Sequence, residues 1–389
     1  FSNDQVAEVS LEAPVKTLDA VKGDKVDTRF IAGSCSVQEG DTNHLHVLRY
    51  HRESNQLTVD ARLPHETGPV AKICTSPSDK TVVLTYAEDS KEATLWKLPT
   101  EAMERTNNDV DFDDADVPLS NEAMTESAKL EMSSRLVDMV WRSVSEDGPS
   151  AMGDVFTMDQ AGKISQWDVA FGAAESTRQI TANVQGSKWN LPPKLACDPH
   201  DPEVMAVASG SRVHMVDWRS QDSAVAAADN FMCCHHRYGI TDLDFNPNKP
   251  HVLGTAGQDG LIKFWDLRSS RQPLMVSRGG HRHWVSQLKY NPFHDQLLLS
   301  AGTDSLVNLW RFSTISSAPL LTLGDDEGGG KDPADTSGPN VRVAQHEHLD
   351  SVYATAWGAS DAWVYASVGY DGKVVLSNVP SKEKYKILL

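Results

Sequence analysis

Histidine, aspartate and tryptophan recur at fixed spacing in the C-terminal half of the sequence. Asp259 follows His236 by 23 residues and Trp265 follows 6 residues later, and the histidine-to-aspartate spacing repeats from His281 and from His348. A hydroxyl side chain precedes each aspartate by four positions. A hydroxyl, an imidazole and a carboxylate are also the groups of a nucleophilic catalytic triad. An enzyme needs one such site, so three copies at the same spacing indicate a repeated structural unit instead.

Each copy contains the groups for a chain of hydrogen bonds. An indole N–H can donate to a hydroxyl, the hydroxyl to an imidazole and the imidazole to a carboxylate, so that buried polar groups satisfy one another. Such a chain would hold the strands of one unit together. The predicted sets are His236, Thr255, Asp259 and Trp265; His281, Ser300, Asp304 and Trp310; and His348, Ser367 and Asp371, where Ser377 takes the tryptophan position.

Short strands must position these side chains. Apolar and polar residues alternate along 240–245, 261–265 and 306–310, and a period of two residues is typical of strands. Three or four strands in about 45 residues, with His, Ser or Thr, Asp and Trp at set positions, are typical of a WD-repeat propeller blade.

Weaker copies of the unit occur upstream. Three of them end at Trp96, Trp167 and Trp218, and a unit without tryptophan spans about 28–63. Together with the three clear copies they make seven. The sequence therefore predicts an all-β fold, a seven-bladed WD-repeat β-propeller that forms a single domain over residues 1–389.

The ring of a propeller usually closes when a strand from one terminus pairs with the blade formed by the other. Val6–Leu11 and Tyr385–Leu389 are the two candidates, and the sequence leaves open which one takes the outer position. The alternating lysines of the C-terminal tail, Lys382, Lys384 and Lys386, are interpreted as a solvated strand edge.

Two insertions interrupt the repeat. Residues 100–127 and 324–340 are acidic and poor in aromatic residues, and both are predicted to be disordered loops. A strand-like run follows each, which places both loops between the third and fourth strands of their blades and on one face of the ring. For the second loop an alternative remains, because Pro319–Leu323 could be the fourth strand.

Composition limits the partners of the chain. The 389 residues include 54 Asp and Glu against 36 Lys and Arg, and the net charge of −18 repels nucleic acid and anionic lipid surfaces. The sequence has neither a signal peptide nor an apolar run of about 18 residues that could span a bilayer. We therefore expect a cytoplasmic protein that is monomeric on its own and binds other proteins rather than nucleic acid.

The five cysteines form no CxxC pair and are predicted to be reduced. The run Cys233-Cys234-His235-His236 resembles a metal cluster, but adjacent ligands cannot close a tetrahedral site without partners elsewhere. We interpret it as the end of a strand followed by a structural histidine. No metal and no cofactor are predicted, and no motif of a known enzyme class is present.

Loops that carry the repeated His and Asp must lie on one face, because these two side chains bond each other within a blade. Their neighbours would form a shared surface for protein partners, and Trp, Tyr and Arg are the types that anchor interfaces. For Trp284, a place in the core of its strand is an equal alternative. The candidate partner-binding residues are Arg237, Tyr238, Gln258, Arg282, His283, Trp284, Thr303 and Tyr370.

Several stretches resemble the WD-repeat family that interacts with the EARP and GARP tethering complexes. They are DLDFNPNK (242–249), KFWDLR (263–268), HRHWV (281–285), HDQLLLSAGTDS (294–305), HLDSVYATAW (348–357), YDGKV (370–374) and the terminal KYKILL. Upstream of Ile240 the resemblance rests on the order of repeats and on two loops in corresponding places.

The resemblance implies a propeller without catalytic activity. It implies a cytoplasmic adaptor, associated peripherally with endosomes and the trans-Golgi network, that binds subunits of EARP and GARP tethers. Such an adaptor supports endosomal recycling and retrograde transport. No family motif assigns tether contacts to individual residues of this sequence.

Two other functions fit the same fold. Trp265-Asp266-Leu267-Arg268 matches the short W-D-x-R text of substrate receptors of cullin-type ubiquitin ligases, in which Asp266 and Arg268 would contact the ligase adaptor. Tryptophan and aspartate end blades generally, so Arg268 could equally pair with a neighbouring carboxylate. A peroxisomal import receptor is a third possibility, since it shares the repeat.

Overall fold

Seven four-stranded antiparallel sheets make up the part of the chain that a computed structural model describes, which confirms the seven-bladed propeller. That part comprises residues 6–38, 40–104, 123–142, 152–170, 173–182, 191–218, 231–232, 236–269, 271–318 and 340–388. Each sheet is a meander, ordered from an inner strand at the ring centre to an outer strand at the rim.

The strands of the first four blades are β2 (Val15–Ala20), β3 (Thr28–Ser34), β4 (His44–His51) and β5 (Gln56–Pro64); β6 (Val70–Thr75), β7 (Val82–Ala87), β8 (Glu92–Lys97) and β9 (Thr125–Glu131); β10 (Leu136–Arg142), β11 (Asp154–Asp159), β12 (Lys163–Ala170) and β13 (Ala173–Thr181); and β14 (Lys194–Cys197), β15 (Val204–Ser209), β16 (Arg212–Asp217) and β17 (Phe231–Met232). Blade 1 thus begins upstream of the predicted unit 28–63, because its inner strand β2 carries no repeat marker.

The strands of the last three blades are β18 (Ile240–Phe245), β19 (Val252–Gly257), β20 (Ile262–Asp266) and β21 (Met275–Ser277); β22 (Val285–Tyr290), β23 (Leu297–Gly302), β24 (Leu306–Phe312) and β25 (Asn340–Glu347); and β26 (Val352–Trp357), β27 (Val364–Gly369) and β28 (Lys373–Asn378), with β1 (Ala7–Ser10) as the fourth strand of blade 7. The two helices of the described chain are α1 (Thr100–Glu104) and α2 (Ser381–Leu388).

The N-terminal candidate closes the ring. Strand β1 pairs antiparallel with β28, in a register that joins Ala7 to Leu376 and Ser10 to Lys373. The C-terminal candidate and the strand-edge interpretation of its lysines are wrong, because Ser381–Leu388 is a helix. The helix is held by a buried ion pair, in which the Glu383 carboxylate lies 2.7 Å from the Arg311 guanidinium. The alternating lysines give no indication of this contact.

Seven apolar clusters fill the spaces between neighbouring blades of the described chain. Each cluster takes side chains from two adjacent sheets, and one of them joins blade 7 to blade 1 across the closure. Burying one Leu, Val or Phe side chain contributes about 1.5–3 kcal/mol. Because every blade packs on two neighbours, the ring presents its loops from a rigid frame.

Side chains of the inner strands connect one blade to the next around the central channel. Asp242 and Asp244 of blade 5 accept hydrogen bonds from the backbone N–H groups of Leu288 (2.9 Å) and Tyr290 (2.8 Å) of blade 6. Asp138 of blade 3 accepts one from Leu195 of blade 4 at 2.8 Å. These bonds satisfy N–H groups that an inner strand would otherwise leave unpaired at its open edge.

The two faces of the ring carry different connections. The antiparallel order places the second-to-third strand turns and the blade-to-blade connections on one face, here the upper face, which holds the repeated His and Asp. The remaining connections form the lower face. The two insertions connect β8 to β9 and β24 to β25, and the strand ends that they join lie on the lower face.

The insertions lie mostly outside the described residues. At the ends of the first, Thr100–Glu104 is a helix with Met103 buried, and β9 begins at Thr125. At the end of the second, Asn340 begins β25, whereas Pro319–Leu323 lies outside the described residues. Disorder over 100–127 and 324–340 therefore stays a prediction for the parts between these ends.

Within the described ranges, neither helix has the length and apolar character needed to cross a bilayer.

Candidate functional site

The predicted hydrogen-bond chains are present in blades 5 and 6. In blade 6 the indole Nε1 of Trp310 donates to Ser300 Oγ at 2.9 Å, Ser300 lies 2.7 Å from His281 Nε2, and His281 Nδ1 lies 3.0 Å from Asp304 Oδ1. The corresponding distances in blade 5, through Thr255, are 2.9, 2.9 and 2.8 Å. The tryptophan donates to the hydroxyl, so the hydroxyl donates to Nε2 and the imidazole N–H donates to the carboxylate.

This arrangement is structural rather than catalytic. Ser300 is fully buried and both of its hydrogen-bonding directions are used, so its oxygen cannot reach a substrate. Burial opposes the ionisation of Asp259, but hydrogen bonds from His236 and from the backbone of Arg237 outweigh it and lower the pKa of Asp259 to about 2. The carboxylate is therefore charged at neutral pH and holds the imidazole N–H towards itself.

Blade 7 has a looser version of the chain. His348 Nε2 lies 2.9 Å from Ser367 Oγ, but its Nδ1 is 3.6 Å from Asp371 Oδ1. Ser377 replaces the tryptophan, and within the described chain its hydroxyl has no hydrogen-bond partner. Burial lowers the pKa of His348, which keeps this imidazole neutral.

Three further blades carry partial chains that the sequence search missed. In blade 2, Thr85 bonds both His65 Nε2 and Trp96 Nε1 at 2.8 Å, and Gly68 O replaces the aspartate. In blade 3, Trp167 donates to Thr157 at 2.7 Å, and Thr157 donates to the sulfur of Met132. In the described part of blade 4, Trp218 donates to the sulfur of Met205 at 3.1 Å. The spacing from Thr85 to Trp96 is one residue longer than in blades 5 and 6, which conceals the match.

The second carboxylate oxygen of Asp259, Asp304 and Asp371 holds a loop of the upper face in place. It accepts the backbone N–H of the residue after the histidine, at 3.2 Å from Arg237, 2.7 Å from Arg282 and 2.9 Å from Leu349. The buried chain thus fixes the main chain of three loops, whose next side chains point into solvent. The same residues that stabilise the blade therefore set the positions of its exposed neighbours.

Aromatic and basic side chains cover the upper face of blades 5 to 7. We call this surface the upper arc and define it by Arg237, Tyr238, Arg282, His283, Trp284, Leu349, Tyr353 and Tyr370, all of which are exposed. Trp284 is 43% exposed and lies just before β22, whose first core residue is Val285. The surface interpretation of Trp284 is therefore the correct one.

Two of the predicted surface residues have a supporting position instead. Gln258 is only 8% exposed, and its amide oxygen lies beneath Gly239. Thr303 is half-buried and bonds the imidazole of His283, which stacks on Trp284 with ring centres 5.3 Å apart. At the turn position before the aspartate, Gln258 of blade 5 is buried, Thr303 of blade 6 is half-buried and Tyr370 of blade 7 is exposed.

The sequence search also missed Leu349 and Tyr353. Leu349 holds the position that Arg237 and Arg282 hold in their loops, so the alignment of repeats was a signal for it. Tyr353 lies at a β-bulge between Val352 and Ala354, which turns its side chain out of the ladder. Its ring meets Tyr370 edge-to-face with centres 6.2 Å apart.

Asp266 and Arg268 lie on the opposite, lower face. The guanidinium of Arg268 donates two hydrogen bonds to Asp266, at 2.9 and 2.7 Å, and the side chain is 70% exposed. The hydrogen bonds from Arg268 lower the pKa of Asp266 to about 2. Arg268 thus pairs with a neighbouring carboxylate, one of the two interpretations of the W-D-x-R text.

The run Cys233-Cys234-His235-His236, which resembles a metal cluster in the sequence, is described only at His236. Cys233, Cys234 and His235 lie outside the described residues, and His236 belongs to the chain of blade 5. Over the described ranges, His, Cys, Asp and Glu side chains form no group of three that could hold a metal ion.

Thr255→Val tests the hydrogen-bond chain of blade 5. The substitution keeps the shape of the side chain, but Trp265 loses its acceptor and His236 loses this donor, so we expect the free energy of unfolding to fall by about 2–3 kcal/mol. Thr255→Ser is the control, because blade 6 uses serine here, and losing one buried methyl should cost about 1 kcal/mol. Chemical denaturation measures both, and an equal or larger loss for Thr255→Ser would contradict the assigned role of the hydroxyl.

Comparison with known proteins agrees with this architecture. A family model described as EIPR1 beta-propeller matches residues 9–310. The chain is similar to EARP and GARP complex-interacting protein 1 of Homo sapiens, with 28% identity over 398 residues that cover 97% of each protein. It is 30% identical over 406 residues to the EARP-interacting protein homolog of Danio rerio, and 26% identical over 388 residues to EARP-interacting protein 1 of Caenorhabditis elegans, again with 97% of each protein covered. Because the family model matches well over half of the chain, this protein belongs to the EIPR1 beta-propeller family.

Proposed function

We propose that this protein is a non-enzymatic adaptor that binds multisubunit vesicle tethers of the EARP and GARP type. Its support of endosomal recycling and endosome-to-Golgi transport, and its peripheral association with endosomes and the trans-Golgi network, are part of the proposal. The observation that carries it is the similarity to EARP-interacting relatives along nearly the whole of both chains. The similarity covers 97% of both chains and is not confined to one group of blades.

The upper arc is our candidate for the contact with the tether. It combines exposed Trp, Tyr and Arg side chains, the types that carry most binding energy in protein interfaces. Its loops are fixed from below by Asp259, Asp304 and Asp371, so little conformational entropy is lost when a partner binds. Leu349 is 82% exposed, and a partner that covers this apolar side chain would stabilise the complex.

Affinity purification of the tagged full-length protein from its own cells, followed by mass spectrometry, tests the proposal. We expect subunits shared by EARP and GARP to co-purify, and Trp284→Ala to lower their recovery about tenfold or more. Phe293→Ala is the matched control, because Phe293 is 48% exposed on the lower face. Loss of recovery with Phe293→Ala alone would place the contact on the other face.

The same experiment separates a second candidate function. Arg268 presents a guanidinium held by Asp266 at the lower face, which is the geometry a ligase adaptor could contact. Recovery of cullin-ligase components without tether subunits, abolished by Arg268→Glu, would replace the trafficking proposal with a ubiquitin-ligase receptor. Unchanged recovery of tether subunits with Arg268→Glu removes this alternative.

A further inference from the structure

We propose that the partner segment bound by the upper arc is acidic and contains a large apolar side chain. Its carboxylates would pair with Arg237 and Arg282, and its apolar side chain would lie on the surface formed by Trp284, Leu349 and Tyr370. The inference rests on the proposed function only in using the same surface. It adds the chemistry of the segment that the adaptor recognises.

Three exposed arginines lie in two neighbouring connections of the upper face, before β18 and before β22. Arg237 and Arg282 occupy equivalent positions in neighbouring blades, and Arg278 is exposed after the end of β21, next to the same loops. As far as the chain is described, none of these three guanidinium groups forms an ion pair with a carboxylate. Other exposed arginines do form such pairs, for example Arg135 with Asp89 at 2.7 Å and Arg178 with Glu203 at 3.2 Å.

Unpaired guanidinium groups are unexpected in a chain with a net charge of −18. Among the described residues, the carboxylates of Asp259 and Asp304 lie next to Arg237 and Arg282, but they accept the backbone N–H groups and form no ion pair with the guanidinium groups. Arg237 instead covers the ring of Tyr238, with its guanidinium carbon 5.3 Å from the ring centre. A guanidinium that is held in place but not neutralised is suited to a carboxylate brought by another molecule.

The apolar part of the arc is continuous with the basic part. Gly260 of blade 5 lies against the backbone carbonyl of His283 in blade 6. The backbone carbonyl of Thr303 in blade 6 accepts a hydrogen bond from the hydroxyl of Ser351 in blade 7 at 3.3 Å. Beyond Ser351 the surface continues to Tyr370, whose backbone N–H bonds Ser351 O at 2.9 Å. Loops of three blades therefore form one surface, which is basic at blades 5 and 6 and aromatic and aliphatic at blades 6 and 7.

This combination favours a protein segment over other anions. Nucleic acid and anionic membranes present many phosphates, and an acidic chain repels them outside a small basic patch. They also offer little to cover Trp284 and Leu349 specifically. A segment with a few carboxylates beside Leu, Phe or Trp satisfies both halves of the arc.

A phage-displayed library of random peptides, selected on the immobilised full-length protein, tests the inference without any tether. We expect enriched peptides to contain Asp or Glu beside a large apolar residue. Their affinity should fall about tenfold or more with the double variant Arg237→Glu/Arg282→Glu, because two attractive pairs become repulsive. It should also weaken between about 0.05 and about 0.5 M salt.

The control variant is Arg52→Glu/Arg271→Glu. Both arginines are exposed in third-to-fourth strand connections of the lower face, so the variant makes the same charge change there and should leave peptide affinity unchanged. Neutral or basic enriched peptides, no enrichment, or equal binding to both double variants would each overturn the inference. These outcomes are independent of tether recovery. If tether subunits co-purify and the arginine variants have no effect on them, the adaptor proposal stands and the acidic-segment inference fails.

Discussion

Replacing Glu383 with alanine is expected to lower the free energy of unfolding by about 3–5 kcal/mol, since it removes one partner of a buried ion pair. Arg311 and Glu383 are both almost completely buried, and their atoms lie 2.7 Å apart between β24 of blade 6 and helix α2. Lys386 adds a second contact to the same carboxylate at 2.7 Å. The pair therefore attaches the helix to the lower face at the junction of blades 6 and 7.

Chemical denaturation and amide hydrogen exchange together check this expectation. In the Glu383→Ala variant, exchange should accelerate first in α2, because the helix loses its main polar attachment while the blades remain packed. Tyr385→Ala is the control on the same helix, since Tyr385 is largely exposed and should change stability by less than about 0.5 kcal/mol. Equal stability losses for the two variants would show that the buried pair does not anchor the helix.

Asp138→Ala should destabilise the ring by about 3 kcal/mol. The carboxylate of Asp138 lies at the central channel, where it contacts the ammonium of Lys72 in blade 2 and accepts the N–H of Leu195 in blade 4. Its loss affects three consecutive blades at once. Asp138→Asn keeps an oxygen for Leu195 and should cost about half as much.

The pH dependence of this difference provides a second test. Burial alone would raise the pKa of Asp138, but Lys72, Lys194 and the hydrogen bonds outweigh it, so the pKa is lowered. A lowered folded-state pKa stabilises the fold above the unfolded value of about 3.9 and loses this contribution as pH falls through the folded value. The stability gap between the wild type and Asp138→Asn should be constant near neutral pH and shrink below about pH 4. A gap that stays constant down to acid unfolding would contradict the charge-pair role.

The constant spacing of the repeated His, Ser or Thr, Asp and Trp residues predicts most of the fold, because the hydrogen-bond chains fix how far apart these residues lie in the sequence. In blades 5 and 6, the hydroxyl residue must face both the histidine of one connection and the tryptophan of the next strand, which fixes their distances along the chain. In blade 2 Gly68 O accepts the bond that the aspartate accepts elsewhere, and in blade 3 the sulfur of Met132 bonds the hydroxyl in place of the histidine. Without the usual residue type at that position, the repeat is harder to recognise in the sequence.

Other features depend on contacts between distant segments. The helix at Ser381–Leu388 is stabilised by Arg311, which lies far upstream, and its alternating lysines resemble a strand when read alone. For the site, residue types identified Arg237, Arg282 and Trp284, but whether Gln258 points outward depends on the loop of Gly239 above it. Exposure of a turn residue is a property of the packed ring, not of the local sequence.

The pairing of β1 with β28 also determines when the ring can close during synthesis. Ala7 and Leu376 are paired residues, so the ribosome must produce the whole chain between them before the two strands can meet. At about 10 residues per second, β1 waits roughly 40 seconds for its partner. During that time a strand edge at each side of the gap is open to pairing with other nascent chains, and closure of the ring removes both edges.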